Sequence, residues 1–141
     1  MSRLLVFAQL LLIVLLAWPS HPPAITAASI VLLILGLSAG VAALAVMPAR
    51  TLSVLPEPRS SGALVTRGIY HYLRHPMYLA VLLCGLAACL AYGSAAKWVL
   101  LALLAGVLTL KIRREERLLL ARFPAYAAYC QQTKAIIPYL L

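Results

Sequence analysis

Acidic residues are nearly absent from this chain. Of 141 residues only three are Asp or Glu, against twelve Lys or Arg, and all charged residues together make up 11%. Apolar residues reach 65%, and the mean hydropathy is +1.00. A soluble globular domain has nowhere to put that much apolar surface, so the scarcity of charge excludes one. The chain reads as an all-α integral membrane protein, a single membrane domain over residues 1–141. Cysteine is scarce too. Cys84, Cys89 and Cys130 form an odd set, and the first two, five residues apart, point to different faces of one helix. This spacing fits neither a disulfide framework nor a metal site, so no metal is expected. Internal repeats are also missing.

Four apolar runs stand out: residues 4–18, 24–47, 77–92 and 97–110. A helix needs ~20 apolar residues to cross a bilayer. Only the second run is that long, so the other three must recruit flanking residues. Arg3, Arg74, Lys97 and Lys111 stand at their ends and can snorkel to the headgroups, while Trp18, Tyr92 and Trp98 suit one interface. The expected architecture is four transmembrane helices, a cytosolic extension of the last, and a C-terminal interfacial tail. A re-entrant hairpin of the last two runs is the competing arrangement. The first run also resembles a signal peptide. Cleavage would leave three spans and separate the termini across the membrane, so the run is read as retained.

Charge asymmetry orients this topology. Four spans put Arg3, Arg50, Arg59, Arg67, Arg74, Lys111, Arg113, Arg114, Arg117, Arg122 and Lys134 on one side, and Lys97 alone on the other. The positive side faces the cytosol, which places both termini there, together with any site that the basic segments form. The net charge of +9 is then explained by topology and anionic headgroups, with no nucleic-acid partner.

Two polar clusters interrupt the apolar pattern. RGIYHYLRHPMY, residues 67–78, brings Arg67, His71, Arg74 and the His75-Pro76 pair to the start of the third run. KIRREER, residues 111–117, closes the fourth. One helical hairpin joins them, so they must meet. Pro76 suits a first helical turn, where its missing N–H costs nothing. Gly93-Ser94 breaks the hairpin. Leu64, Val65, Ile69, Tyr70 and Leu73 suggest a short interfacial helix. The loop before it carries Pro56, Pro58 and Gly62 and is long for so small a protein, as functional loops are.

On the fourth helix Leu108, Ile112, Glu115 and Leu119 share one face. Glu115 therefore faces the bundle, where a carboxylate is a functional candidate; its ordinary alternative is an intrahelical pair with Lys111. Glu116, rotated by ~100°, aligns with Arg113 and reads as one half of a solvated ion pair. His75 alone reads equally as an interfacial cap, and Tyr70 and Tyr78 as belt aromatics.

Taken together, the segments LVTRGIYHYLRHPMYLA (residues 64–80), the Glu-Glu-Arg run with its following leucines (residues 115–119), FPAYAAY (residues 123–129) and the closing Ile137-Pro138 resemble the isoprenylcysteine carboxyl methyltransferase family, in the wider group that includes phospholipid N-methyltransferases. The resemblance implies S-adenosylmethionine-dependent methyl transfer to a small lipophilic or membrane-embedded acceptor, such as an isoprenylcysteine-like carboxylate. It implies a cofactor-binding half over residues 62–141, with Ala63, Leu64, Val65, Tyr70, His75, Pro76, Met77, Tyr78 and Glu115 at the cofactor. Lys111, where the family usually has arginine, and Arg113 would orient the acceptor. Lysine gives up bidentate clamping of a carboxylate. Pro124 replaces the family's usual glycine after Phe123. Two other classes compete: a small non-enzymatic membrane protein, and a reductase-like relative that binds a reduced nicotinamide.

Overall fold

The computed structural model describes residues 2–47 and 64–136. It is helical, with no strand among the described residues. The helices are α1 (Ser2–Ala17), α2 (Ala27–Val46), α3 (Pro76–Tyr92), α4 (Ala95–Arg122) and α5 (Tyr126–Gln132), with a 3-10 turn at Gly68–His71 before α3. The first four coincide with the four apolar runs, and α4 continues unbroken past its apolar part, as expected. Two of them, α2 and α4, are long and apolar enough to cross a membrane; α1 and α3 are shorter apolar helices. The expected loop before residue 63, together with Ala63, Ile137 and Pro138, lies outside the described residues.

Local chemistry sets the boundaries. Thr26 and Ser29 form a capping box at the start of α2. Pro76 opens α3, and Gly93 ends it in the left-handed region at φ 58°. The stretch before α3 holds less helix than its spacing suggests. Gly68, the first residue of the 3-10 turn, has φ 62°, so no regular helix runs through it from Leu64, and Leu73 then pairs through its backbone with Lys134.

Packing centres on α3. α2 lies along it, and α1 lies against α3 and α4. The α2–α3 seam is built from small residues. A Cβ on Gly36 would fall 2.8 Å from Cys84 Sγ and 3.0 Å from the Ala80 carbonyl oxygen, so only glycine admits this approach. Leu16, Cys89, Leu104 and Leu108 form the main buried cluster. Outward, α1 and α2 expose large apolar side chains such as Phe7, Val14, Ile34 and Val41, a surface suited to lipid.

Lys97 and Lys111 do not snorkel outward; both are buried. Lys97 Nζ donates to the carbonyls of Leu15 (2.9 Å), Leu16 (2.8 Å) and Trp18 (2.6 Å). Those carbonyls lie at the end of α1, where intrahelical donors run out, and an ammonium there also suits the helix dipole. The tail packs on the bundle itself. After α5 it turns back and buries Ala135 and Ile136 beside Ile112 of α4, packing against Tyr78, Leu79 and Leu82. Burying one isoleucine contributes roughly 2 kcal/mol, enough to hold the tail against the bundle end.

Candidate active site

The backbone positions His75 first. Arg74 N–H donates to Lys134 O at 2.8 Å, His75 N–H donates to Ala135 O at 2.9 Å, and Lys134 N–H donates to Tyr72 O at 3.1 Å. The tail thus pins residues 72–75 as a strap. Pro76 starts α3 immediately afterwards, so the His75 ring sits at the helix N-terminus, 6% exposed. Tyr78, one turn on, stacks its ring on the imidazole at 5.5 Å between centroids and 12° between planes.

α4 supplies the opposing charges. Glu115 and Glu116 are adjacent in sequence and differ by ~100° around the helix, so their carboxylates straddle His75. Glu115 Oε2 lies 3.7 Å from Nδ1, and Glu116 Oε1 lies 3.3 Å from Nε2. Tyr78 OH donates to Glu115 Oε2 at 3.0 Å. Arg74 Nε donates to Glu116 Oε1 at 2.7 Å. Arg74 Nη1 also donates to the carbonyls of Cys130 (3.1 Å) and Thr133, so one guanidinium joins α4, the tail and the strap. Burial works against its charge, but the bonded Glu116 carboxylate outweighs burial and raises its pKa. On α4, Lys111 Nζ donates to Gln9 Oε1 of α1 at 2.5 Å and lies 5.3 Å from the centre of the Tyr78 ring.

The two polar clusters do meet, through Arg74 and His75. Arg67 is exposed, and so is His71, which stacks edge-on against Tyr72. Of the anticipated site residues, His75, Tyr78, Glu115 and Lys111 converge, and Pro76 sets their geometry. Tyr70 is buried beside them. Burial, then the Glu115 charge, push its pKa up to about 12, which keeps the phenol neutral. Leu64 lines a neighbouring cleft of about 280 Å³ with Thr66, His71, Tyr129, Gln132 and Thr133. Val65 and Met77 are half-buried, and Arg113 is exposed on the outer face of α4.

Sequence reasoning placed Glu116 wrongly. It is not a solvated partner of Arg113; it is part-buried and bonded to Arg74 and His75. The α-helical wheel gives its direction but not the strap that reaches back to meet it. Gln9 escaped notice altogether, although a lone polar residue in the first apolar run is a usable signal.

The helical, apolar bundle gathers a histidine, two carboxylates, a tyrosine and a lysine at one end. The chain belongs to the phospholipid methyltransferase family, whose pattern matches residues 24–125. Membership implies S-adenosylmethionine-dependent methyl transfer to membrane lipid-like substrates. A search of curated proteins finds no match.

Proposed function

We propose that this protein transfers a methyl group from S-adenosylmethionine to a lipophilic acceptor held in the bilayer, with its site at the cytosolic face of four membrane-spanning helices. The observation that carries this reading is the convergence of His75, just before α3, and Tyr78 of α3 with Glu115, Glu116 and Lys111 from α4. The donor set fits the cofactor. Carboxylates suit its ammonium and ribose hydroxyls, aromatic faces suit its adenine and cationic sulfur, and Arg74 and neighbouring basic residues suit its carboxylate. Tyr70 and Leu64 extend that surface, and Ala63, Val65, Pro76 and Met77 adjoin it in sequence. When bound, the cofactor supplies an electrophilic methyl group on a positively charged sulfur.

The protein's own residues then have to align the acceptor, because in-line displacement is accelerated chiefly by positioning. An isoprenylcysteine-like carboxylate needs a cation to orient it and no general base, and Lys111 is that cation, with Arg113 available nearer the surface. The apolar groove between α1 and α2, about 700 Å³ and floored by Ala80, Cys84 and Ala87 of α3, offers lipid-phase access alongside. The flanking of both His75 nitrogens by carboxylates favours a second reading, an amine acceptor that gives up its proton to His75.

Labelled S-adenosylmethionine incubated with the protein and a membrane lipid extract should yield a labelled lipid whose structure names the acceptor. Calorimetry should show saturable cofactor binding that His75→Ala and Glu115→Ala each weaken at least about tenfold, the loss of one charge-assisted contact. A folded protein that fails to bind the cofactor at millimolar concentration rules the function out.

A further inference from the structure

α1 lies outside the matched family segment, yet it delivers a residue to the site. Gln9 is the one polar side chain in the first apolar run and is 9% exposed. Its side-chain oxygen accepts from Lys111 Nζ at 2.5 Å, and Lys111 is 2% exposed. The same ammonium stands over the Tyr78 ring, whose hydroxyl bonds Glu115. A polar side chain on a membrane helix is costly unless it has a task, and a buried ammonium must have its protons accepted.

The register that brings these two together is set elsewhere. Lys97, Leu104, Leu108 and Lys111 are buried along one stripe of α4. Lys97 grips the last carbonyls of α1, and Lys111 meets Gln9 two turns earlier on that helix, so α1 runs antiparallel to α4 and is tied at two points. With its end held by Lys97, α1 cannot slide, and Gln9 stays opposite Lys111.

We propose that Gln9 is a positioning residue, which holds the Lys111 ammonium over Tyr78 and aims it at the acceptor oxygen. This rests on the reading of Lys111 as the acceptor-orienting group. A space-filling side chain would tolerate leucine; a positioning one needs an oxygen at that place.

The full chain with ¹³Cε-labelled lysine, in detergent micelles, tests the hold directly, because it contains only Lys97, Lys111 and Lys134. The Tyr78 ring current shifts the Lys111 signal. Gln9→Leu should move that signal toward the exposed Lys134 position and leave Lys97 in place, and Gln9→Glu should restore it. An unmoved Lys111 signal in folded Gln9→Leu overturns the proposal. If Gln9→Leu does not fold, Gln9→Asn, shorter by one methylene, withdraws the oxygen and should give the same shift.

A second arm uses vesicles of phosphatidylethanolamine and oleic acid, which offer an amine and a carboxylate. Gln9→Leu should raise the acceptor concentration for half-maximal methyl transfer about tenfold and leave cofactor affinity unchanged. In a Lys111→Met background the same change should add nothing. An additional loss in that background, or weakened cofactor affinity with unchanged acceptor demand, overturns the proposal. Wild-type protein that neither binds the cofactor nor labels a lipid defeats the functional reading instead, and the lysine spectrum still decides whether Gln9 holds Lys111.

Discussion

α3 meets its two neighbours by opposite means. Against α2 it offers Ala80, Cys84 and Ala87, and close approach at Gly36 does the work. Against α4 its first turn offers His75 and Tyr78, and charged hydrogen bonds do the work. Both seams lie on one short apolar helix. In the proposed topology the difference follows from depth. A seam within lipid has no water to displace, so shape is what remains to give it specificity. A seam at the membrane surface can recruit ionisable groups at lower cost, and those groups can bind a soluble cofactor.

Substitutions at three positions sharpen the contrast. The largest effect belongs to the polar seam. Arg74→Ala removes the links between Glu116, the tail and the strap, and should lower stability by roughly 3 kcal/mol, read as thermal unfolding in detergent. Arg74→Lys should recover little, because a single ammonium cannot reproduce the guanidinium's divergent contacts. Equal stability of Arg74→Ala and wild type would show that the tail docks by apolar burial alone.

The apolar seam should respond more mildly. Gly36→Val forces a branched side chain against the Ala80 backbone, costing about 2 kcal/mol, without changing cofactor affinity measured by calorimetry. A weakened cofactor affinity would mean that the seams are coupled.

At neutral pH the smallest effect, nearly nil, belongs to Tyr70, whose contribution shows only as an alkaline pH dependence of the polar seam. The Tyr70 pKa is raised from 10.0 to about 12, so the folded protein keeps a proton that the unfolded chain releases. Its contribution to stability is intact below pH 10 and is lost as pH rises toward 12. Wild type should lose about 1.4 kcal/mol per pH unit over that interval relative to Tyr70→Phe. Parallel alkaline profiles for the two proteins would contradict this.

Much of the fold was legible because the signals are local. Apolar runs, Pro76 and Gly93 mark α1 to α4 within a few residues, and the spacing of Leu108, Ile112 and Glu115 points Glu115 inward. The meeting of His75, Tyr78, Glu115 and Lys111 at one end of the bundle was legible through that geometry and through family resemblance. Arg74 was read as a membrane anchor and Glu116 as solvated. Their pairing depends on residues 133–135 returning to residues 72–75, a contact between segments some sixty residues apart in sequence that no helical period encodes. Lys97 was read as reaching outward, because nothing in its neighbourhood reveals that the end of α1 stops beside it.

By itself the sequence determined the four long helices, their apolar character and the two polar clusters, one following the apolar part of α4 and one leading into α3, since these depend on composition and on periods of a few residues. Only tertiary structure decided which charges pair. Arg74 clasps Glu116, Lys97 caps α1, and Gln9 meets Lys111 because packing sets the register of α1 on α4 and folds the tail onto the strap. A buried charge takes its role from whatever the fold places within hydrogen-bond reach, and that distance is not a property of the chain's local order.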